Sequence, residues 1–137
     1  MLQLGCHNPN GISTPAAAET AAASWRRSGF DVVCVQELHL SLLTSVAVAN
    51  RLARLGWTVF WASGRATGGT AIAIRSCLLS SGVLSIIGGE QAIQRAHDGR
   101  YVALSARWCG HTLLLANVYL PSGDPTAHRH RGRSGRR

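Results

Sequence analysis

Polar residues able to bind a metal ion follow three of the predicted strands. Asn8 and Asn10 come after the first strand, Glu37 ends the second, and Asn117 and Tyr119 lie at the end of the last. Amide and carboxylate oxygens are hard donors that suit Mg²⁺ or Mn²⁺, and a site with few protein ligands leaves room for phosphate oxygens and water. The residue types therefore indicate divalent-metal chemistry on a phosphate group.

Each of these residues also has a purely structural interpretation. Glu37 could be a solvated acid at a strand end, and Asn8 could be a turn residue. The same holds for Asn10, since Asn-Gly is itself a turn signal. Tyr119 could be a half-buried strand tyrosine. His39 fits a loop or capping role better than a ligand role.

The stretch Asp31–Leu40 is the element that must position Glu37. Its β-branched run predicts a strand buried on both faces, and α/β proteins bind ligands at the carboxyl ends of such strands. A first strand is predicted over Leu2–Cys6, and Thr14-Pro15 is a helix start. The order strand, helix, strand predicts a parallel crossover, which would bring the polar ends of both strands to one sheet edge.

The rest of the chain predicts a second helix and a run of antiparallel strands. Ser41 can cap that helix and Gly56 can end it. The predicted strands are Trp57–Trp61, Thr70–Ile74, Val83–Ile87, Arg100–Trp108 and Thr112–Tyr119. Together these elements predict an α+β fold, a mixed β-sheet structure with helices packed outside. A Rossmann fold is not expected, because no GxGxxG follows the first strand.

All fourteen basic residues are arginines, and the formal charge is +8. Five of the arginines fall in the last thirteen residues. We expect one domain over 1–124 and a disordered arginine-rich tail over 125–137 that binds polyanions non-specifically at best. The four cysteines show no CxxC spacing, which favours buried free thiols over a zinc knuckle. Free thiols in turn indicate an intracellular location, the nucleus included. The apolar runs are too short for a membrane span.

Five short motifs occur in an order and at spacings that indicate a protein family. They are NPNG at 8–11, VQELHL at 35–40, GGTAIAI at 68–74, DGRY at 98–101 and NVYLPSG at 117–123. This set resembles the endonuclease/exonuclease/phosphatase superfamily, which includes apurinic endonucleases, and is most similar to endonuclease domains of non-LTR retrotransposons. The resemblance covers roughly residues 2–123 and implies a four-layer, DNase-like sandwich.

The resemblance also implies a role for each site residue. Glu37 matches the principal magnesium ligand, and Asn10 stands where the family has an Asn or Asp near the metal. Asn8 matches the asparagine that orients the phosphate, and Tyr119 matches the tyrosine that approaches the scissile phosphate. The implied reaction is Mg²⁺-dependent hydrolysis of a DNA phosphodiester by in-line attack of water.

The chain departs from the family pattern after residue 123. No GDFN-type motif supplies an Asp/Asn pair to position water, and no SDH-type motif supplies a phosphate-contacting histidine. We expect a truncated domain corresponding to the N-terminal half. Two hypotheses follow: an endonuclease-like domain of a retroelement, or a half-domain without turnover that binds nucleic acid or is a remnant.

Overall fold

A computed structural model describes residues 1–62 and 69–120. This part of the chain contains three helices and eight strands, with one 3₁₀ turn at Glu90–Ala92. In order they are β1 (Leu4–His7), α1 (Pro15–Arg27), β2 (Val32–Gln36), α2 (Leu42–Arg54), β3 (Trp57–Ala62), β4 (Thr70–Arg75), α3 (Ser76–Ser80), β5 (Leu84–Ile86), β6 (Gln94–Arg95), β7 (Tyr101–Trp108) and β8 (His111–Val118).

The predicted crossover is confirmed. β1 and β2 are parallel neighbours, with His7 opposite Val35. Thr14 caps α1 by accepting a hydrogen bond from the Ala17 N–H at 3.1 Å, and Pro15 occupies the first turn, where its missing N–H costs nothing. This cap fixes where α1 begins, so the chain can return antiparallel to β1 and re-enter the sheet beside it.

The first sheet has the strand order β1-β2-β4-β3. Ser41 begins α2 with a capping box, in which Ser41 and Thr44 each accept the other's backbone N–H. β4 is antiparallel to both β2 and β3. It enters between them, so four of the six β4 residues are apolar and fully buried, Ala71 to Ile74.

The second sheet is built on β7. β8 pairs along the whole length of β7 through a two-residue turn at Cys109-Gly110, both with positive φ, as a tight hairpin requires. β5 and β6 share the other edge of β7. Val102, Leu104 and Ala106 lie on one face of β7 and are buried in the core between the sheets.

The two sheets and the helices form three layers with two apolar cores. One core lies between the helices and the first sheet and contains Trp25 and Trp57, whose rings meet edge to face at 5.1 Å. The other lies between the two sheets and includes Ile72, Ile74 and Leu104. Strand alternation produces both, since successive β2 residues face the helices and the second sheet in turn.

Several details differ from the sequence-based expectations. α3 and β6 were not predicted, because five and two residues are too few for a readable period. Cys6, Cys77 and Cys109 are exposed and Cys34 is half-buried, so the expectation of buried thiols is wrong. His7 is half-buried and accepts a hydrogen bond from the Trp25 indole at 2.8 Å.

Other predictions fall outside the described residues. These are the disordered tail predicted over 125–137 and the domain boundary at 124. In the described part of the chain, no helix is long and apolar enough to cross a membrane.

Candidate active site

The ends of β1 and β2 bring Asn8 and Glu37 together. Asn8 is the first residue after β1 and Glu37 the first after β2. Both chains turn sharply here: the Asn10 N–H donates to Asn8 Oδ1 at 3.1 Å, and Glu37 has a φ of 53°. A positive φ is uncommon outside glycine and is found at ligand sites and turns. The Asn8 side chain lies close enough to the Glu37 carboxylate to help lower the pKa of that group.

Tyr119 reaches the same carboxylate from the other sheet. Its hydroxyl donates to Glu37 Oε1 at 2.6 Å. Its backbone N–H donates to the Arg100 carbonyl at 2.8 Å, which fixes the chain just beyond β8. The site therefore joins three chain segments that are far apart in sequence, and the predicted grouping of Asn8, Glu37 and Tyr119 is what the structure contains.

These contacts bias the charge states of both partners. The Tyr119 hydrogen bond is the main factor holding the pKa of Glu37 below its usual value of 4.5, with smaller contributions from Asn8 and the charge of His39 against the opposing effect of desolvation. The hydrogen bond to Glu37 likewise raises the pKa of Tyr119 above 10.0. At neutral pH the site thus holds a carboxylate and a protonated phenol.

Asn117 connects the two sheets beneath the site. This side chain is 2% exposed, and its amide nitrogen donates to the carbonyls of Val35 and Ala71, both at 2.8 Å. Its Oδ1 accepts from the Gln36 side chain at 3.3 Å, and Gln36 also donates to the Val118 carbonyl. These bonds hold the end of β8 against β2 and β4, which sets the distance between Tyr119 and Glu37.

The remaining candidates from the sequence, Asn10 and His39, lie beside this site. Asn10 has a φ of 52° and contributes its backbone N–H, but among the described residues its side-chain amide makes no hydrogen bond. Its proposed place near a metal thus stays a prediction. His39, interpreted from sequence as a loop histidine, lies close enough to Glu37 to affect the pKa of that carboxyl.

Sequence reasoning did not find the role of Asn117 as a clamp. The signal was present in strand parity: Leu115 and Asn117 share one face of β8, and that face is the buried one. A polar residue on a buried face must have hydrogen-bond partners. Which carbonyls supply them depends on how the two sheets stack, and no local pattern encodes that.

The donors present suit a hard cation with few protein ligands. Glu37 offers a carboxylate oxygen, and Asn8 an amide oxygen whose second lone pair is not used by Asn10. Over residues 1–62 and 69–120, no group of three or more His, Cys, Asp and Glu side chains could hold a metal ion. The two oxygen donors are few, which is the ligand number that suits a hard cation that keeps most of its waters.

Solved structures of two AP endonucleases and of TDP2 share this fold. The AP endonuclease of Leishmania major superposes with a TM-score of 0.64 at 17% identity, over 88% of this chain and 40% of that chain. The AP endonuclease of Archaeoglobus fulgidus gives 0.61 at 16% identity, over 88% and 42%. TDP2 of D. rerio, solved with a single-strand DNA product, gives 0.62 at 18% identity, over 93% and 49%.

The fold is therefore the α+β, mixed-sheet fold of these solved structures, and the predicted fold class is confirmed. No family model matches the sequence. No curated protein matches it either. The chain spans less than half the length of each of these solved structures.

Proposed function

We propose that this chain supplies half of a Mg²⁺-dependent phosphodiesterase site that acts on DNA. The observation that carries the proposal is the junction of Asn8, Glu37 and Tyr119 at the carboxyl ends of β1 and β2 and beyond β8. The same fold in AP endonucleases and TDP2 supports DNA as the substrate class. The motif set further favours an origin in a retroelement endonuclease, with an intracellular location.

Each residue has a defined part in this proposal. Glu37 and Asn8 hold the cation through oxygen atoms, and Asn10 adds a ligand if its amide turns inward. When bound, Mg²⁺ stabilises negative charge on the phosphoryl and leaving oxygens. Tyr119 keeps the Glu37 carboxylate in place through its one hydroxyl proton, and this proton would serve a phosphate oxygen once the cation takes over the Glu37 oxygen.

A non-catalytic role is the second candidate. One carboxylate alone binds Mg²⁺ weakly, and the GDFN- and SDH-type motifs that would activate water do not occur in this sequence. The net charge of +8 still favours binding to nucleic acid through phosphate contacts. In this alternative the chain binds DNA without cutting it, and its affinity falls as salt rises.

Nicking of supercoiled plasmid by the purified chain distinguishes the two. The enzymatic proposal expects nicking with Mg²⁺, none with a chelator, and a loss of roughly 100-fold or more in Glu37→Ala, since the principal metal ligand is removed. Glu90→Ala is the matched control, because Glu90 is an exposed acid in the 3₁₀ turn of the second sheet.

Three outcomes of this assay test the enzymatic role against the non-catalytic role. If the wild-type protein does not nick the plasmid, the hypothesis that the chain is an active enzyme by itself is rejected. Salt-dependent binding of labelled single-stranded DNA would then support the second candidate. If the Glu37→Ala variant still nicks the plasmid, the assignment of Glu37 as the principal metal ligand is rejected. Equal losses in Glu37→Ala and Glu90→Ala would attribute the effect to folding.

A further inference from the structure

Two cysteines lie side by side on neighbouring parallel strands. Cys6 of β1 is the register partner of Cys34 of β2. Paired residues of adjacent strands present their side chains on the same face of the sheet, so the two thiols share one surface. Both line a groove of about 280 Å³ between these strands and β8, whose other lining residues carry no charged or polar side chain. The fold therefore creates a pair of adjacent thiols from residues far apart in sequence.

The spacing of the strands allows a disulfide between these two residues. Adjacent strands lie about 4.7–4.9 Å apart, and the Cα atoms of bridged cysteines lie about 4.4–6.8 Å apart. Their Cβ atoms prefer a separation of about 3.8 Å, so the bridge would pull β1 slightly towards β2. β1 can yield because, in the described part of the chain, it pairs with β2 alone. A bridge held under such strain is readily reduced again.

The two thiols differ in their access to solvent. Cys6 is exposed, whereas Cys34 is half-buried. Burial, with smaller contributions from the neighbouring Cys6, raises the pKa of the Cys34 thiol to about 11. A thiol that keeps its proton is a poor nucleophile, so a reagent from solution should react first at Cys6. Cys34 then lies beside the modified sulfur, where proximity favours its attack although its thiolate fraction is low.

We propose that Cys6 and Cys34 form a reversible disulfide, with a low-molecular-weight disulfide such as oxidised glutathione as the oxidant. The Cys6 thiolate attacks one sulfur of the oxidant and expels one thiolate, which leaves a mixed disulfide on Cys6. The Cys34 thiolate then attacks the Cys6 sulfur and expels the second thiolate. Two electrons pass from the cysteines to the oxidant, and the two protons that the cysteines lose are taken up by the two expelled thiolates.

This inference concerns the thiols alone and does not depend on the proposed hydrolysis of DNA. Cys77 and Cys109 provide an internal comparison, since both are exposed. Cys77 lies in α3 and Cys109 in the turn after β7, and no strand register in the described residues pairs either with another cysteine. The same oxidant should therefore stop at the mixed disulfide at these two positions.

Peptide mapping of the full chain after treatment with oxidised glutathione tests the proposal. Trypsin cleaves after arginine, which places the four cysteines in four separate peptides, 1–26, 28–51, 76–95 and 108–129. Without reduction, peptides 1–26 and 28–51 should be joined, and a non-reducing gel should show that the bridged chain is a monomer. Peptides 76–95 and 108–129 should carry glutathione alone. An excess of reduced glutathione should restore all four thiols.

Two variants separate the bridge from simple exposure of a thiol. Cys6→Ser should lose the joined peptides, and Cys34 should remain a free thiol. Cys77→Ser is the matched control, because it removes another exposed thiol and should leave the joined peptides unchanged. Circular dichroism establishes that both variants fold, and the wild-type map decides by itself if one of them does not.

The proposal is overturned if Cys6 carries glutathione and no joined peptide forms, since Cys34 then fails to displace the mixed disulfide. It is equally overturned if peptide 1–26 joins 76–95 or 108–129 as often as it joins 28–51, or if it joins 28–51 only between two chains. A bridge that excess reduced glutathione does not open would contradict its reversibility.

Discussion

The hydroxyl of Tyr119 donates a 2.6 Å hydrogen bond to Oε1 of Glu37, and this bond links the end of one sheet to the end of the other. The two residues are 82 positions apart in the chain. Hydrogen bonds to a carboxylate are short and strong because one partner is charged. The bond therefore both stabilises the Glu37 carboxylate and fixes the Tyr119 side chain beside it.

Tyr119→Phe should raise the pKa of Glu37 towards its ordinary value of 4.5, because the largest factor that lowers it is removed. Carbon-detected NMR titration of the side-chain carboxyl measures this. Tyr101→Phe is the matched control, since the hydroxyl of Tyr101 bonds instead to Gln94 at 3.3 Å. A Glu37 titration that is the same in wild type and Tyr119→Phe would contradict the bond.

Acid should remove the stabilisation that Glu37 contributes. Because the folded pKa lies below 4.5, the contribution is fully present above pH 4.5 and is lost as the pH falls through the folded pKa. The difference in free energy of unfolding between wild type and Glu37→Gln should therefore shrink across this window. Urea unfolding at a series of pH values measures it, and a difference that stays constant down to pH 2 would refute the expectation.

Asn117→Ala should lower the free energy of unfolding by about 2–3 kcal/mol, because two buried carbonyls lose their donor. Asn50→Ala, on the exposed side of α2, is the control and should change stability by less than about 0.5 kcal/mol. Urea denaturation measures both. A near-neutral Asn117→Ala would show that water replaces the amide and that the clamp is dispensable.

Asn117→Asp tests the direction of the clamp. A carboxylate cannot donate to the carbonyls of Val35 and Ala71, so at neutral pH this variant should be less stable than Asn117→Ala. Its new carboxyl would titrate with a raised pKa, and stability should recover as the pH falls and a proton becomes available to donate. Equal stability of the two variants at all pH values would argue against carbonyl recognition.

Gly5→Ala should destabilise the protein by about 1–3 kcal/mol through overpacking. A Cβ at Gly5 would lie 2.5 Å from the Phe30 ring, closer than any real contact. Phe30→Ala in the same chain should relieve the clash, so the double variant should be less destabilised than the sum of the two single changes. Additive effects in thermal unfolding would mean that the ring moves away freely.

Much of the fold could be predicted because its signals are local. Thr14-Pro15 and Ser41 set the starts of both long helices through their own side chains, and the β-branched run at 32–35 is a strand in any buried setting. The Cys109-Gly110 turn fixes the hairpin of β7 and β8. The crossover rule then placed Asn8 and Glu37 at one edge without further information.

The sequence by itself determined the starts of the long helices and the strand ends that carry Asn8 and Glu37, because caps, turns and alternation act over a few neighbouring positions. Only the tertiary structure decided that β4 enters between β2 and β3, that Asn117 bridges the two sheets, and that Tyr119 bonds to Glu37. Those relationships depend on sheet stacking and on contacts between residues 46 to 82 positions apart, which no local pattern contains.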